Sequence, residues 1–334
     1  MTTLDLWKGV NRLSKIDIKN KVFLAPMAGY TDQAFRIISF RQGVDISYSE
    51  MISAKAMKYK DRKTYEMLEI SDEESTVGIQ LFGSEPDILA EATKYLDSLE
   101  KVDIIDLNLG CPAPKIFKNN EGSSLLKDPS LIYKLLKSMR NATDKPLSAK
   151  MRIGIDNKNN YIEVARAIEE SGVDFLIVHG RTRQEYYTGV ADWDAIGNIK
   201  SKIKIPVVGN GDINLNTDID NLLSTYKVDG LMIGRGAVGS PWIFNKIKSD
   251  LNNLDYFPLS VSEKFNIIYE HINLICKLKE ERIAIPEMRK HLHSYLKGMK
   301  DSSKLKNNIN SIKTKNELKN ILKAYELELL TSQY

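Results

Sequence analysis

Between residues 22 and 249, short apolar runs rich in β-branched residues alternate with stretches of helical spacing. The runs are VFLA (22–25), DISYS (45–49), TVGIQLFG (76–83), VDIIDLN (102–108), PLSAKMRI (146–153), VDFLIVHG (173–180), IPVVGNG (205–211) and VDGLMIG (228–234). Several are apolar almost throughout instead of alternating, the pattern of parallel strands covered on both faces. In 86–97, Ile88, Leu89, Ala92, Tyr95 and Leu96 fall on one helical face behind Pro86, which suits a first turn where no N–H is needed. Stretches 129–140, 159–171 and 215–226 read the same way. Eight strands, each followed by a helix, over about 230 residues predict a TIM (β/α)8 barrel. An open doubly wound sheet is the competing arrangement. Against it, no GxGxxG follows the first strand, and the glycine-rich turns come after the seventh and eighth.

Beyond residue 250 the strand-like runs stop. Helical patterns cover 261–279, 286–299 and 314–330, the last with Leu318, Ile321, Leu322, Tyr325 and Leu329 at helical spacing. With Leu254–Pro258 as linker, this predicts a barrel over 1–250 and a small all-α helical bundle over 251–334. No stretch of 18 apolar residues occurs, so no membrane span is expected. The N-terminal MTTLDLWKGVNRLSK lacks an apolar h-region, so no secretory signal is expected. Cys111 and Cys276 have no CxxC partner, which argues against a disulfide framework or structural zinc and for a cytoplasmic location.

The net charge of +4 is unevenly distributed. Residues 1–244 carry 32 Lys/Arg against 33 Asp/Glu, whereas 245–334 carry 16 against 11, and 287–323 carry 10 against 3. A local basic surface of this kind marks a polyanion binder or a solvated helix face.

In a TIM barrel, chemistry gathers at the C-terminal strand ends, with phosphate often held after strands seven and eight. Those ends read Asn210-Gly211-Asp212 and Gly234-Arg235-Gly236, where glycines admit an anion to the backbone and Arg235 adds a charged fork. The fourth strand runs into Asn108-Leu109-Gly110-Cys111-Pro112. A thiol there is either a general acid, protonated near neutral pH, or a nucleophile if a neighbour lowers its pKa. Lys150 and His179 end strands five and six, each as a ligand contact or as a structural group, and Gln80 is a polar residue in an apolar run that needs a partner if buried. Tyr186, Tyr187 and Trp193 either stack on a base or pack their loop. Cys276 reads as core, and His271, His291 and His293 lack metal-ligand spacing.

The stretches APMAGYTDQAFR (25–36), GIQLFGSEP (78–86), DLNLGCPAPKIFKNNEGSSLL (106–126), KMRIG (150–154), HGRTRQEYYTGVADWDAI (179–196), VVGNGDI (207–213), GLMIGRGAVGSPWIF (230–244) and RKHLHSYLKG (289–298) together resemble the tRNA-dihydrouridine synthases, bacterial B-type. The resemblance implies an FMN-dependent oxidoreductase, with NADPH as electron donor, that adds hydride to the C5=C6 bond of uridine in tRNA. It implies Cys111 as proton donor to C5. It also implies Pro26, Met27, Ala28, Gln80, Lys150, His179, Asn210, Gly211, Asp212, Gly234 and Arg235 around the cofactor. Asn108, Arg181, Arg289, Lys290 and Lys297 are then the substrate contacts. Ser294 stands where the family usually has an aromatic. A monomer without bound metal is expected. The competing functions are a small-molecule dihydropyrimidine or dihydroorotate-type oxidoreductase, a non-redox barrel enzyme, and an RNA-binding protein.

Overall fold

The computed structural model describes residues 16–157 and 159–331; the N-terminal stretch read above as lacking a signal lies outside the described residues. Nine strands form: β1 (Lys21–Leu24), β2 (Ile46–Tyr48), β3 (Ile52–Ser53), β4 (Val77–Phe82), β5 (Ile104–Leu109), β6 (Leu147–Arg152), β7 (Phe175–His179), β8 (Val207–Asn210) and β9 (Gly230–Ile233). All pairings are parallel. β1 pairs with both β2 and β9, and β2 pairs with β4, so eight strands close into the expected barrel. The two-residue β3 pairs alongside the C-terminal end of β4. Each of the eight apolar runs coincides with one barrel strand to within two residues at either end.

Side chains alternate in and out along each strand. Val22 and Leu24 of β1, Ile105, Leu107 and Leu109 of β5, and Leu176 and Val178 of β7 pack outward beneath the helices. Phe23, Ile104, Phe175, Ile177, Val208 and Met232 fill the lower barrel interior. The same inward parity, followed toward the C-terminal ends, carries Gln80, Asp106 and Ser148, and above them Asn108, Lys150, His179 and Asn210. Apolar layers thus support a polar top. Gly78 is required here, because a Cβ would lie 2.3 Å from Cε1 of the inward-pointing Tyr48.

The barrel carries α1 (Gln33–Arg41), α2 (Ala54–Lys58), α3 (Arg62–Glu66), α4 (Pro86–Asp97), α5 (Pro114–Lys118), α6 (Pro129–Asn141), α7 (Tyr161–Glu170), α8 (Trp193–Lys202), α9 (Ile219–Tyr226) and α10 (Ile243–Leu251). Pro86 and Pro129 occupy first-turn positions, and Asp32, Asp128, Asp192 and Asp218 cap N-termini through their carboxylates.

Residues 252–260 have no regular structure, and beyond them come α11 (Val261–Leu278), α12 (Glu281–Tyr295), α13 (Ser302–Ile309) and α14 (Lys315–Thr331). A capping box of Ser260 and Glu263 starts α11. Their apolar faces form one cluster that also takes in Ala34, Ile37 and Ile38 of α1 and Trp242, so the helical region is seated on the barrel. His271 of α11 and His291 of α12 meet edge to face at 4.5 Å between ring centroids, with Phe35 of α1 at 4.9 Å from His291. The expected helix at 286–299 is corrected: α12 begins at Glu281, with Pro286 inside it, and stops at Tyr295. Among the described residues, no helix is long and apolar enough to cross a membrane.

Candidate active site

The C-terminal strand ends open into one cavity of about 1400 Å³ that also reaches Trp242, Lys264, Ser294, Tyr295, Lys297 and Met299, so barrel and helical region share its wall. That volume exceeds the usual ~300–1,000 Å³ of a small-molecule pocket. Pro26, Met27, Ala28, Gln80, Asn108, Cys111, Lys150, His179, Asn210, Gly211, Asp212, Gly234, Arg235 and Lys297 all line it.

Cys111 sits just past β5 in a loop fixed from several sides. Asn108 Oδ1 accepts the backbone N–H of Gly110 at 3.1 Å and of Cys111 at 2.9 Å. The Cys111 carbonyl accepts from Ser123 Oγ at 2.7 Å, and Arg152 Nε donates to the Gly110 carbonyl at 2.9 Å. The thiol is half-buried. Burial pushes its pKa up, against the backbone N–H of Ala113 and the positive charge of Arg152. A thiol so placed stays protonated at neutral pH, the state that a general acid requires.

Around it stand cations. Lys150 donates to Asn210 Oδ1 at 3.1 Å, and burial, with help from Arg152 and against Asp106, lowers its pKa to about 8. Burial first, and then the charges of Lys150, Arg152, Arg181 and Arg235, keep His179 neutral. Arg181 Nη1 lies 3.4 Å from His179 Nε2. Arginine only donates, so Nε2 accepts and the ring proton is on Nδ1. The lining holds five Lys/Arg (Lys150, Arg152, Arg235, Lys264, Lys297) against one carboxylate, Asp212, so the cavity favours an anionic ligand.

At the ends of β8 and β9, Gly211, Gly234 and Gly236 line the cavity, and two of them pack where no side chain would fit. Gly211 has φ +140, and a Cβ there would lie 2.5 Å from Ala191 Cβ; a Cβ on Gly236 would meet the Ile213 carbonyl at 2.2 Å. Asp212 carries no free carboxylate for this cradle. It pairs with Arg181 at 2.6 Å and Arg235 at 3.0 Å, and so holds Arg235 at the rim, where the guanidinium also lies 4.7 Å from the Tyr187 ring centroid.

Three expected substrate contacts do not line the cavity. Arg181 is 1% exposed and does not line the cavity; its donors go to Asp212 and to the carbonyls of Thr188 and Gly189, so it braces the loop instead of reaching a base. Arg289 donates to the Ile312 carbonyl inside the helical region, and Lys290 stands over Gly29, outside the cavity. Sequence reasoning missed Arg152, which ties Gly110, Thr182 and Tyr186 together, and Asp106, which sits beside Gln80. Both were visible as polar residues at inward parity. Tyr187 is half-exposed at the cavity mouth, whereas Trp193 donates to the Gly211 carbonyl and packs on Tyr226. Among the described residues, no group of three or more His, Cys, Asp or Glu is arranged to hold a metal.

The sequence model of the dihydrouridine synthase (Dus) family matches residues 23–330. The tRNA-dihydrouridine synthase B of Shewanella oneidensis is 36% identical over 321 residues, covering 96% of this chain and 99% of that protein. That of Vibrio cholerae is 35% identical over 317 residues, covering 94% and 98%. Among solved structures, histamine dehydrogenase from Rhizobium sp. 4-9 superposes with a TM-score of 0.53 at 13% identity, over 76% of this chain and 49% of that one. This last likeness is one of fold.

Proposed function

The chain belongs to the dihydrouridine synthase family, FMN-dependent oxidoreductases acting on tRNA uridine, and on that premise we propose how its cavity is used. The residues at the barrel mouth would hold FMN, with Arg235 and the glycines at the ends of β8 and β9 taking its phosphate; one uridine would enter the same cavity, and the basic helical region would grip the RNA backbone. The observation that carries this reading is the Cys111 thiol sharing one cationic cavity with a glycine-lined strand-end cradle.

The residues fit the cofactor. Lys150 presents an ammonium whose one protein partner among the described residues is Asn210, which leaves donors for the electron-rich edge of a flavin. Pro26, Met27 and Ala28 offer a low wall for a flat ring. Arg235 and the backbone of Gly211 and Gly234 suit a phosphate. FMN, when bound and reduced, supplies the hydride for uracil C6. Cys111 delivers its proton to C5, and the thiolate left behind is stabilised by Arg152 and the Ala113 N–H before it takes a proton back from solvent. Asn108, held 2.9 Å from the Cys111 amide, keeps the thiol at a fixed height over the base. The reading carries with it NADPH as electron donor, a monomeric enzyme, a cytoplasmic location and a division near residue 251 into catalytic barrel and RNA-binding bundle.

The test is to purify the protein, record its absorption for flavin, and incubate it with NADPH and tRNA lacking dihydrouridine. Dihydrouridine formed in the tRNA and not in free uridine or orotate supports the reading. A protein that takes up no flavin, or that reduces only the free pyrimidine, overturns it.

A further inference from the structure

We propose that Asp106 is a positioning residue which, through the side-chain amides of Gln80 and Asn108, fixes the orientation of the loop that carries Cys111. The role in catalysis rests on the function proposed above; the relay itself does not. Asp106 is fully buried and is not part of the cavity wall, so it acts through other groups. Gln80, Asp106 and Ser148 are Cα partners in one row across β4, β5 and β6, one layer below Asn108 and Lys150.

The chemistry of that row has a direction. An ionised carboxylate only accepts hydrogen bonds. Asp106 Oδ2 lies 2.8 Å from Gln80 Nε2, so the Gln80 NH2 faces down and its Oε1 faces Asn108. That oxygen accepts from Asn108 Nδ2 at 2.6 Å, which turns Asn108 Oδ1 toward the N–H groups of Gly110 and Cys111. From below, Ser148 Oγ donates to Asp106 Oδ1 at 2.6 Å, and Tyr48, 3.0 Å from Ser148 Oγ, supplies the donor that completes it. Gln80 is 1% and Asn108 8% exposed, so neither amide can exchange its partners for bulk water. The charge at one end therefore dictates which end of each amide points up. Were Asn108 reversed, its NH2 would confront two backbone N–H groups, and both would lose the one acceptor they share.

An Asp106→Asn change keeps the shape and removes the direction. Tyr48 has Ser148 as its hydroxyl partner, and while it donates there the Ser148 hydroxyl must donate to position 106, so the new NH2 faces Gln80, reverses it, and reverses Asn108 in turn. Adding Gln80→Glu restores the upper half: a carboxylate at 80 accepts from the NH2 groups at both 106 and 108. The experiment measures backbone amide exchange at Gly110 and Cys111 and the rate of Cys111 alkylation by iodoacetamide. Neither needs turnover, so each stands even if the assigned reaction fails. In D106N we expect amide exchange at Cys111 to rise about five- to tenfold, the loss of roughly one hydrogen bond. The tRNA reaction should lose kcat with little change in KM. In D106N/Q80E, exchange should return to near the wild-type rate. Tyr48→Phe, which removes a hydroxyl without changing any direction, should leave exchange at Cys111 as it was. Wild-type exchange in D106N, no recovery in the double variant, or equal acceleration in Y48F overturns the proposal. Should D106N not fold, D106N/Q80E carries the test alone: near-wild-type exchange supports the relay and accelerated exchange overturns it.

Discussion

Arg152 Nε donates to the carbonyl of Gly110 at 2.9 Å, one residue before the thiol, while its guanidinium charge opposes the effect of burial on that thiol. One side chain thus sets both where Cys111 stands and how acidic it is. Because burial dominates, the thiolate of the wild-type protein should appear at a higher pH than that of an ordinary cysteine. Removing the charge with Arg152→Met should move the pH dependence of iodoacetamide alkylation higher still. Arg152→Lys, which keeps the charge but loses the fork to Gly110, Thr182 and Tyr186, should leave that midpoint nearer to wild type while lowering kcat. A downward shift in the methionine variant would contradict the assignment.

Cys111→Ala removes the proton for C5 and little else. Flavin content and tRNA affinity should be retained, while the rate of dihydrouridine formation falls by about 10²–10⁴, the usual worth of a positioned general acid. Nucleoside analysis of the tRNA after a timed reaction reads this directly, and wild-type turnover would remove the thiol from the mechanism.

Lys297 lines the cavity on the helical side, and Lys300, Lys304 and Lys306 follow it along the chain. Neutralising all four should weaken tRNA binding and flatten its dependence on salt, by a slope of about 0.7–0.9 for each phosphate no longer neutralised. Titrations at several salt concentrations check it. An unchanged slope would place the RNA elsewhere.

His291 is buried against His271, Phe35 and Tyr30, and burial, reinforced by Lys290 and Lys279 against the pull of Asp32, lowers its pKa to about 4. The folded state therefore resists a proton that the unfolded chain accepts below pH 6.5. The stability this represents is present above 6.5 and is lost as pH falls toward 4. Between pH 7 and pH 5 the loss from this one group should be about 2 kcal/mol. Urea unfolding at the two pH values should show a smaller acid loss in His291→Gln than in wild type.

Most of the barrel was legible because parallel strands buried on both faces read as unbroken apolar runs, and because Asp and Pro at helix starts act locally. The eight strands and the helices at 86–97, 129–140 and 261–279 follow from that. α12 departs from the local rule that a proline marks a first turn. Pro286 and Arg282, four residues before it, are both exposed, so the carbonyl left without a donor can be hydrated and the helix runs through. α13 was missed because its eight residues contribute two apolar side chains, Leu305 and Ile309, to the core. Cys111, Lys150 and Asn210 could be placed from their positions at strand ends, whereas the pairing of Arg181 with Asp212 joins residues 31 apart and depends on loop geometry that no local pattern encodes. Asp106 could have been seen by aligning the strands laterally, where Gln80, Asp106 and Ser148 form one polar row.

The cavity draws its wall from Ala25 at one extreme and Met299 at the other. During synthesis the barrel cannot close until β9 has emerged to pair with β1, and the pocket is not finished until α11 and α12 have docked on α1. A nascent chain shorter than this exposes an unpaired β1 edge and the apolar face of α1, so the enzyme gains its binding site late, after early and late parts of the chain have met at both junctions.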